Sequence, residues 1–171
     1  MKKVLCAALL LALLTGCAAP QAAEVFYVQD EIPAPARIPF SIQFGVPADA
    51  MAQEPEAGGL QRQYDAADGS YTIRTAILPG EDADEVMLEL TGLQPETLSP
   101  IRTTRHGMQA YRFSWCSADE DGTRLCSAAI LEDEDCCYCL SFTMPEDSAK
   151  QNRTLQMQVL DSFSLFEDEG F

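Results

Sequence analysis

The chain has 171 residues, of which 47% are hydrophobic, a length and balance that fit one globular domain with extensions rather than a disordered chain. Its formal charge is −16, from 27 Asp and Glu against 11 Lys and Arg, and losing Lys2 and Lys3 with no acid takes this to −18. That balance excludes nucleic acid as a partner, since phosphates need clustered cations, and an anionic membrane surface repels it.

The first stretch reads as a leader. Lys2 and Lys3 precede an apolar run from Val4 to Leu14. The run is shorter than the roughly 20 residues that span a ~30 Å hydrocarbon core, so it fits a signal sequence better than a membrane helix. Leu14-Thr15-Gly16-Cys17 follows. These four residues resemble the lipobox of bacterial lipoproteins. The resemblance implies cleavage before Cys17 and lipidation of its thiol, with acyl chains such as palmitate holding the protein on the cell membrane. Ordinary secretory cleavage after Ala23 is the alternative. Both place the domain outside the cytoplasm. Residues 1–16 are then a lipoprotein signal peptide, 17–36 a lipid anchor and tether, 37–166 the folded domain and 167–171 an acidic tail.

Ile32 to Pro39 holds three prolines in eight residues, which suits an extended tether. Val25-Phe26-Tyr27-Val28 is too apolar for a free linker and reads as an edge strand or an extended arm, and the sequence leaves open whether it docks on the domain. Phe40 to Val46 alternates as a half-buried strand. Met51 to Leu60 reads as a loop. Gln61 to Ala66 and Ser70 to Leu78 predict a hairpin about Ala67-Asp68-Gly69, with Tyr71, Ile73, Thr75 and Ile77 on one face. Glu81 to Leu93 switches to helical spacing, with Asp82 as N-cap, Glu85 three residues on and Gly92 as the stop. Pro95 to Pro100 reads as a turn and Ile101 to Arg105 as a short strand.

Met108 to Thr143 organises the domain. Met108–Ser117, Arg124–Leu131 and Cys136–Thr143 predict a three-strand meander with turns at Ala118–Thr123 and Glu132–Asp135. Tyr111, Phe113 and Trp115 share one face. Ser148 to Phe163 is expected to be the second helix, and Phe163 to Phe166 a last short strand. The fold class is therefore α+β: an antiparallel sheet of about six to seven strands with two flanking helices.

All five cysteines beyond the leader fall in the meander: Cys116, Cys126, Cys136, Cys137 and Cys139. An extracytoplasmic address permits disulfides. Cys116 and Cys126 are the candidate pair. They face each other if the turn between them has five residues, whereas with four Trp115 stands opposite Cys126 instead. Cys137 and Cys139 share a strand face, so with Cys126 they form a candidate thiolate site for zinc or copper(I). Burial as small apolar side chains explains the same cysteines without chemistry. His106, the sole histidine, lies in a turn. No nucleophile elbow, phosphate loop or zinc-protease motif occurs.

The layout itself resembles a known group. A lipoprotein leader precedes a strand ending in Val46-Pro47 and a strand with Tyr71-Thr72-Ile73. A short helix, a meander and a helix closing with Asp161-Ser162-Phe163 follow. This is similar to the Mog1/PsbP-like domains, including the DcrB-type lipoproteins, and to uncharacterised small lipoproteins of anaerobic gut bacteria. The resemblance covers about Arg37 to Phe166. It implies an antiparallel sheet flanked by helices in a domain that binds or scaffolds more often than it catalyses. It carries over no site residue. The expected function is non-enzymatic binding or scaffolding in the cell envelope, without a cofactor. The expected partners are the membrane, through Cys17, and an envelope protein or ligand. A cysteine-dependent metal-binding or thiol-redox module is the alternative.

Overall fold

A computed structural model describes residues 25–29, 40–55, 60–119, 122–134 and 136–167, the first segment by its backbone. The leader, Cys17, most of the tether, residues 120, 121 and 135 of the acidic turns, and the tail beyond Glu167 lie outside the described residues.

The strands are β1 (Val25–Gln29), β2 (Phe40–Pro47), β3 (Ala50–Ala52), β4 (Gln61–Ala66), β5 (Thr72–Pro79), β6 (Ile101–Arg105), β7 (Met108–Asp119), β8 (Gly122–Glu132), β9 (Cys136–Pro145) and β10 (Ser164–Glu167). The helices are α1 (Ala83–Thr91), α2 (Pro95–Leu98) and α3 (Ala149–Ser162), the last entered through a 3-10 turn at Glu146–Ser148. Seven strands form one antiparallel sheet in the order β3-β4-β5-β9-β8-β7-β6. A second sheet has the order β1-β2-β10, also antiparallel. Whether Val25–Val28 docks is a question that the sequence leaves open; its backbone pairs with β2. None of the described helices is long and apolar enough to cross a membrane.

The strands form where the sequence alternates. Along β9 the side chains divide between two cores. Cys136, Tyr138, Leu140, Phe142 and Met144 join Ile42, Phe44, Val159, Leu160 and Phe163 beneath β2 and α3. Cys137 and Cys139 point the other way, to Phe113, Ala128, Ile130 and the Val86 and Met87 side chains of α1. β9 is therefore buried on both faces, which explains its unbroken run of apolar and small residues. Tyr71 stacks on Phe142 at 5.1 Å in the larger core, and Phe113 on Trp115 at 5.6 Å in the smaller. Each fully buried large side chain contributes about 1.5–3 kcal/mol.

Helix α1 is built as its sequence dictates. The Asp82 carboxylate accepts from the Glu85 N–H at 2.8 Å, and Gly92, at φ 69°, closes the helix with its N–H on the Leu88 carbonyl. The first turn is fastened to the sheet by Glu132. Its carboxylate accepts from the Ala83 N–H at 3.0 Å and from the Tyr111 hydroxyl at 2.6 Å. On the opposite face, Ser162 donates to the Val159 carbonyl and accepts from the Gly45 N–H at 2.8 Å, while Arg112 of β7 pairs with Asp161.

Four features differ from the sequence reading. Ala50–Ala52, which takes in the start of the segment read as loop from Met51, pairs with β4, and Pro95–Leu98, read as turn, is one helical turn with proline at its start. The meander strands run two to three residues longer, because β7 and β8 stay paired to Asp119 and Gly122. The second sheet is not legible in the sequence, since its β2–β10 pairing joins segments more than a hundred residues apart.

Candidate functional site

The two faces of the large sheet are covered unequally. On the larger core α3 and β2 pack together. On the other face α1, nine residues long, meets β7 and β8, and beside it a groove of about 610 Å³ opens over β4 and β5. Its wall on the helix side is Val86, Glu89 and Leu90. Its floor includes Ala76, Leu78, Cys139 and Ser141. Its far side is polar: Gln61, Arg62, Gln63, Asp65 and Arg74, with Gln53 and Glu54 at the rim.

Strand alternation puts the polar group there. Tyr64 and Ala66 turn into the larger core, so Gln61, Gln63 and Asp65 face the groove. Gln63 pairs with Arg74 across the ladder, and Asp65 with Thr72. The side chains form a chain of hydrogen bonds. Thr72 Oγ1 donates to Asp65 Oδ1 at 2.7 Å. Gln63 Nε2 donates to both Asp65 oxygens, at 3.0 and 2.9 Å. Arg74 Nε donates to Gln63 Oε1 at 2.9 Å. The guanidinium is thus fixed through one of its nitrogens. Near the helix wall, partial burial and the Glu89 and Glu85 carboxylates hold Glu81 above its ordinary range.

The cysteines are elsewhere in role. Trp115 stands opposite Cys126, and Cys116 opposite Leu125. Cys116 and Cys126 are therefore one residue out of register and point to opposite faces, and each is a free thiol. The candidate Cys116–Cys126 disulfide is corrected: the β7–β8 turn has an even count, the alternative in which Trp115 takes the place of Cys116. The candidate metal site is corrected as well. Cys139 stands opposite Ile130 and Cys126 opposite Thr143, four positions along the ladder, or about 13 Å. No cluster of three metal-ligating side chains exists among the described residues. Cys126 packs instead against the Ser117 and Thr143 hydroxyls, at 3.5 and 3.6 Å.

The thiols lining the α1 face are poor nucleophiles. Burial, followed by the charge of Glu132, pushes the Cys137 thiol up to about 12, and burial alone pushes Cys139 to about 12. Both are protonated at neutral pH. His106 sits in the two-residue turn between β6 and β7 at φ 52°, followed by Gly107 at φ 86°. That pairing of left-handed residues is the geometry of a tight hairpin. The residues lining the groove include no histidine.

Sequence reading did not single out Gln61, Gln63, Asp65 or Arg74. Their alternation with Tyr64 and Ala66 was visible, yet a polar strand face reads the same over solvent as over a groove. The length of α1, too short to cover the whole sheet, is the feature that turns this face into a concavity.

No family model matches the sequence, and no curated protein sequence matches it. Solved structures do match. One is the solution structure of cyanobacterial PsbP, CyanoP, from Synechocystis, with TM-score 0.58 and 10% identity over 90% of this chain and 99% of that one. Another is a crystal structure from Bacteroides thetaiotaomicron, with TM-score 0.51 and 15% identity over 75% of this chain. The match spans about half, 46%, of that longer protein. The chain therefore has a PsbP-like α+β fold, the fold that its layout resembles.

Proposed function

We propose that this chain is a lipid-anchored, extracytoplasmic, non-enzymatic binding domain of a bacterial cell envelope. The anchor rests on Leu14-Thr15-Gly16-Cys17 behind a short apolar run, and the binding role on the domain itself. One observation carries the second half: the groove beside α1 is open, polar on one side and apolar on the other, and joins no nucleophile to a base. A general base must lie within hydrogen-bond reach of what it deprotonates, and a nucleophile must be activated. The groove offers hydrogen-bonded amides and carboxylates around protonated, buried Cys139. Such a surface recognises a ligand without transforming it.

Site-specific photo-crosslinking in living cells tests this. Benzoylphenylalanine is placed at Gln53 or Gln61 on the groove, and at Arg153 on α3 as control. Adducts from the two groove positions, absent from the control, are expected. Adducts from Arg153 alone, or from none of the three, contradict the proposal.

A further inference from the structure

The hydrogen-bond chain Thr72–Asp65–Gln63–Arg74 orients a guanidinium through its Nε and, among the described residues, leaves its outer edge without a carboxylate. Arg74 spends its Nε–H on Gln63. The ion pairs between described residues include Arg102 with Asp84, Arg112 with Asp161 and Arg124 with Asp119, and none of these places a carboxylate on Arg74. Its two terminal nitrogens carry four N–H donors in a fixed fork that matches a carboxylate. Fixing Nε in advance removes part of the ordering cost that a free arginine meets on binding.

The charge around it restricts the ligand further. Glu54, Asp65 and Glu89 line the same groove together with Arg62 and Arg74, so both signs of charge stand on it, in a chain of net charge −16. A simple anion on Arg74 meets these carboxylates, and a simple cation meets Arg74. A ligand with both charges meets neither penalty. Between the charged groups lie Leu78, Val86 and Leu90, which suit an apolar side chain. The volume, about 610 Å³, accommodates a molecule of amino-acid to short-peptide size.

We infer that the groove binds a zwitterion with an apolar side chain, an α-amino acid or a short peptide. Its carboxylate seats on Arg74, its ammonium faces Glu54 on the same polar side, and its side chain lies on Leu78, Val86 and Leu90. This rests on the reading of the groove as the binding surface.

Calorimetry on the mature protein in detergent tests the inference with four probes: leucine, leucyl-leucine, N-acetyl-leucine and leucinamide. Leucine or leucyl-leucine is expected to bind. The tighter of the two assigns the source as a free amino acid or a peptide, and either outcome supports the inference. Removing the ammonium in N-acetyl-leucine, or the carboxylate in leucinamide, is expected to weaken binding at least tenfold relative to leucine. Arg74→Gln is expected to abolish binding of leucine and leucyl-leucine alike, with far-UV circular dichroism confirming that the variant is folded. Equal binding of leucine and N-acetyl-leucine, or unchanged binding by a folded Arg74→Gln variant, overturns it. So does silence from both zwitterions. If that silence accompanies adducts from Gln53 and Gln61, the ligand class is wrong and the binding surface stands. If the adducts are missing too, both readings fall.

Discussion

Trp115 and Cys126 face each other across β7 and β8, and this single pairing decides what the cysteines do. It sends Trp115 and Cys126 toward the α1 side and Cys116 to the other. A test follows from the same register. Leu125→Cys puts a thiol directly opposite Cys116, within the Cα separation that a disulfide needs. Mild oxidation is expected to link Cys116 to the new residue, as mapped by peptide mass spectrometry. A native Cys116–Cys126 link in the unaltered protein contradicts the register.

Glu132 joins α1 to the sheet through two hydrogen bonds, to the Ala83 N–H and the Tyr111 hydroxyl. Glu132→Ala leaves both donors without their acceptor. The expected cost is about 1–3 kcal/mol, measured as a lower urea midpoint. Tyr111→Phe removes one donor and is expected to cost less, about 1 kcal/mol.

Tyr111 also gives a pH signature. Burial, then the hydrogen bond and charge of Glu132, push its hydroxyl up to about 12 from an ordinary 10. The folded state therefore holds this proton more tightly than the unfolded state. Its contribution is intact below pH 10 and is lost as pH rises from 10 to about 12. Urea midpoints across that window are expected to fall more steeply for the wild type than for Tyr111→Phe. Equal slopes contradict the assignment.

How much of this was legible beforehand differs by level. The helix at Glu81–Leu93 was readable because Asp82 and Gly92 are local signals whose physics lies within one turn. The shared face of Tyr71, Ile73, Thr75 and Ile77 was readable from alternation alone, and all four are buried. Register was not. One residue more or fewer in the Ala118–Thr123 turn exchanges Cys116 for Trp115, and composition does not count turn residues. The groove was less legible still. Gln63 and Arg74 are eleven residues apart and look like solvent-facing strand residues until the pairing of β4 with β5 joins them.

The anchor is tested apart from the fold. Cells fed labelled palmitate are expected to incorporate label into the wild type and not into Cys17→Ser. The unaltered protein is expected in the membrane fraction with its chain beginning at Cys17. A mature chain that begins after Ala23 and carries no label contradicts the lipoprotein reading.

Thiol counting addresses the central claim, that the meander cysteines are packing and the work of the domain is noncovalent. Cys116 is exposed, while Cys126, Cys136, Cys137 and Cys139 are buried. In the folded mature protein, a chromogenic disulfide reagent at neutral pH is expected to modify one thiol quickly, with the other four reacting only after unfolding. Two or more fast thiols in the folded protein, protected by added zinc, would contradict it.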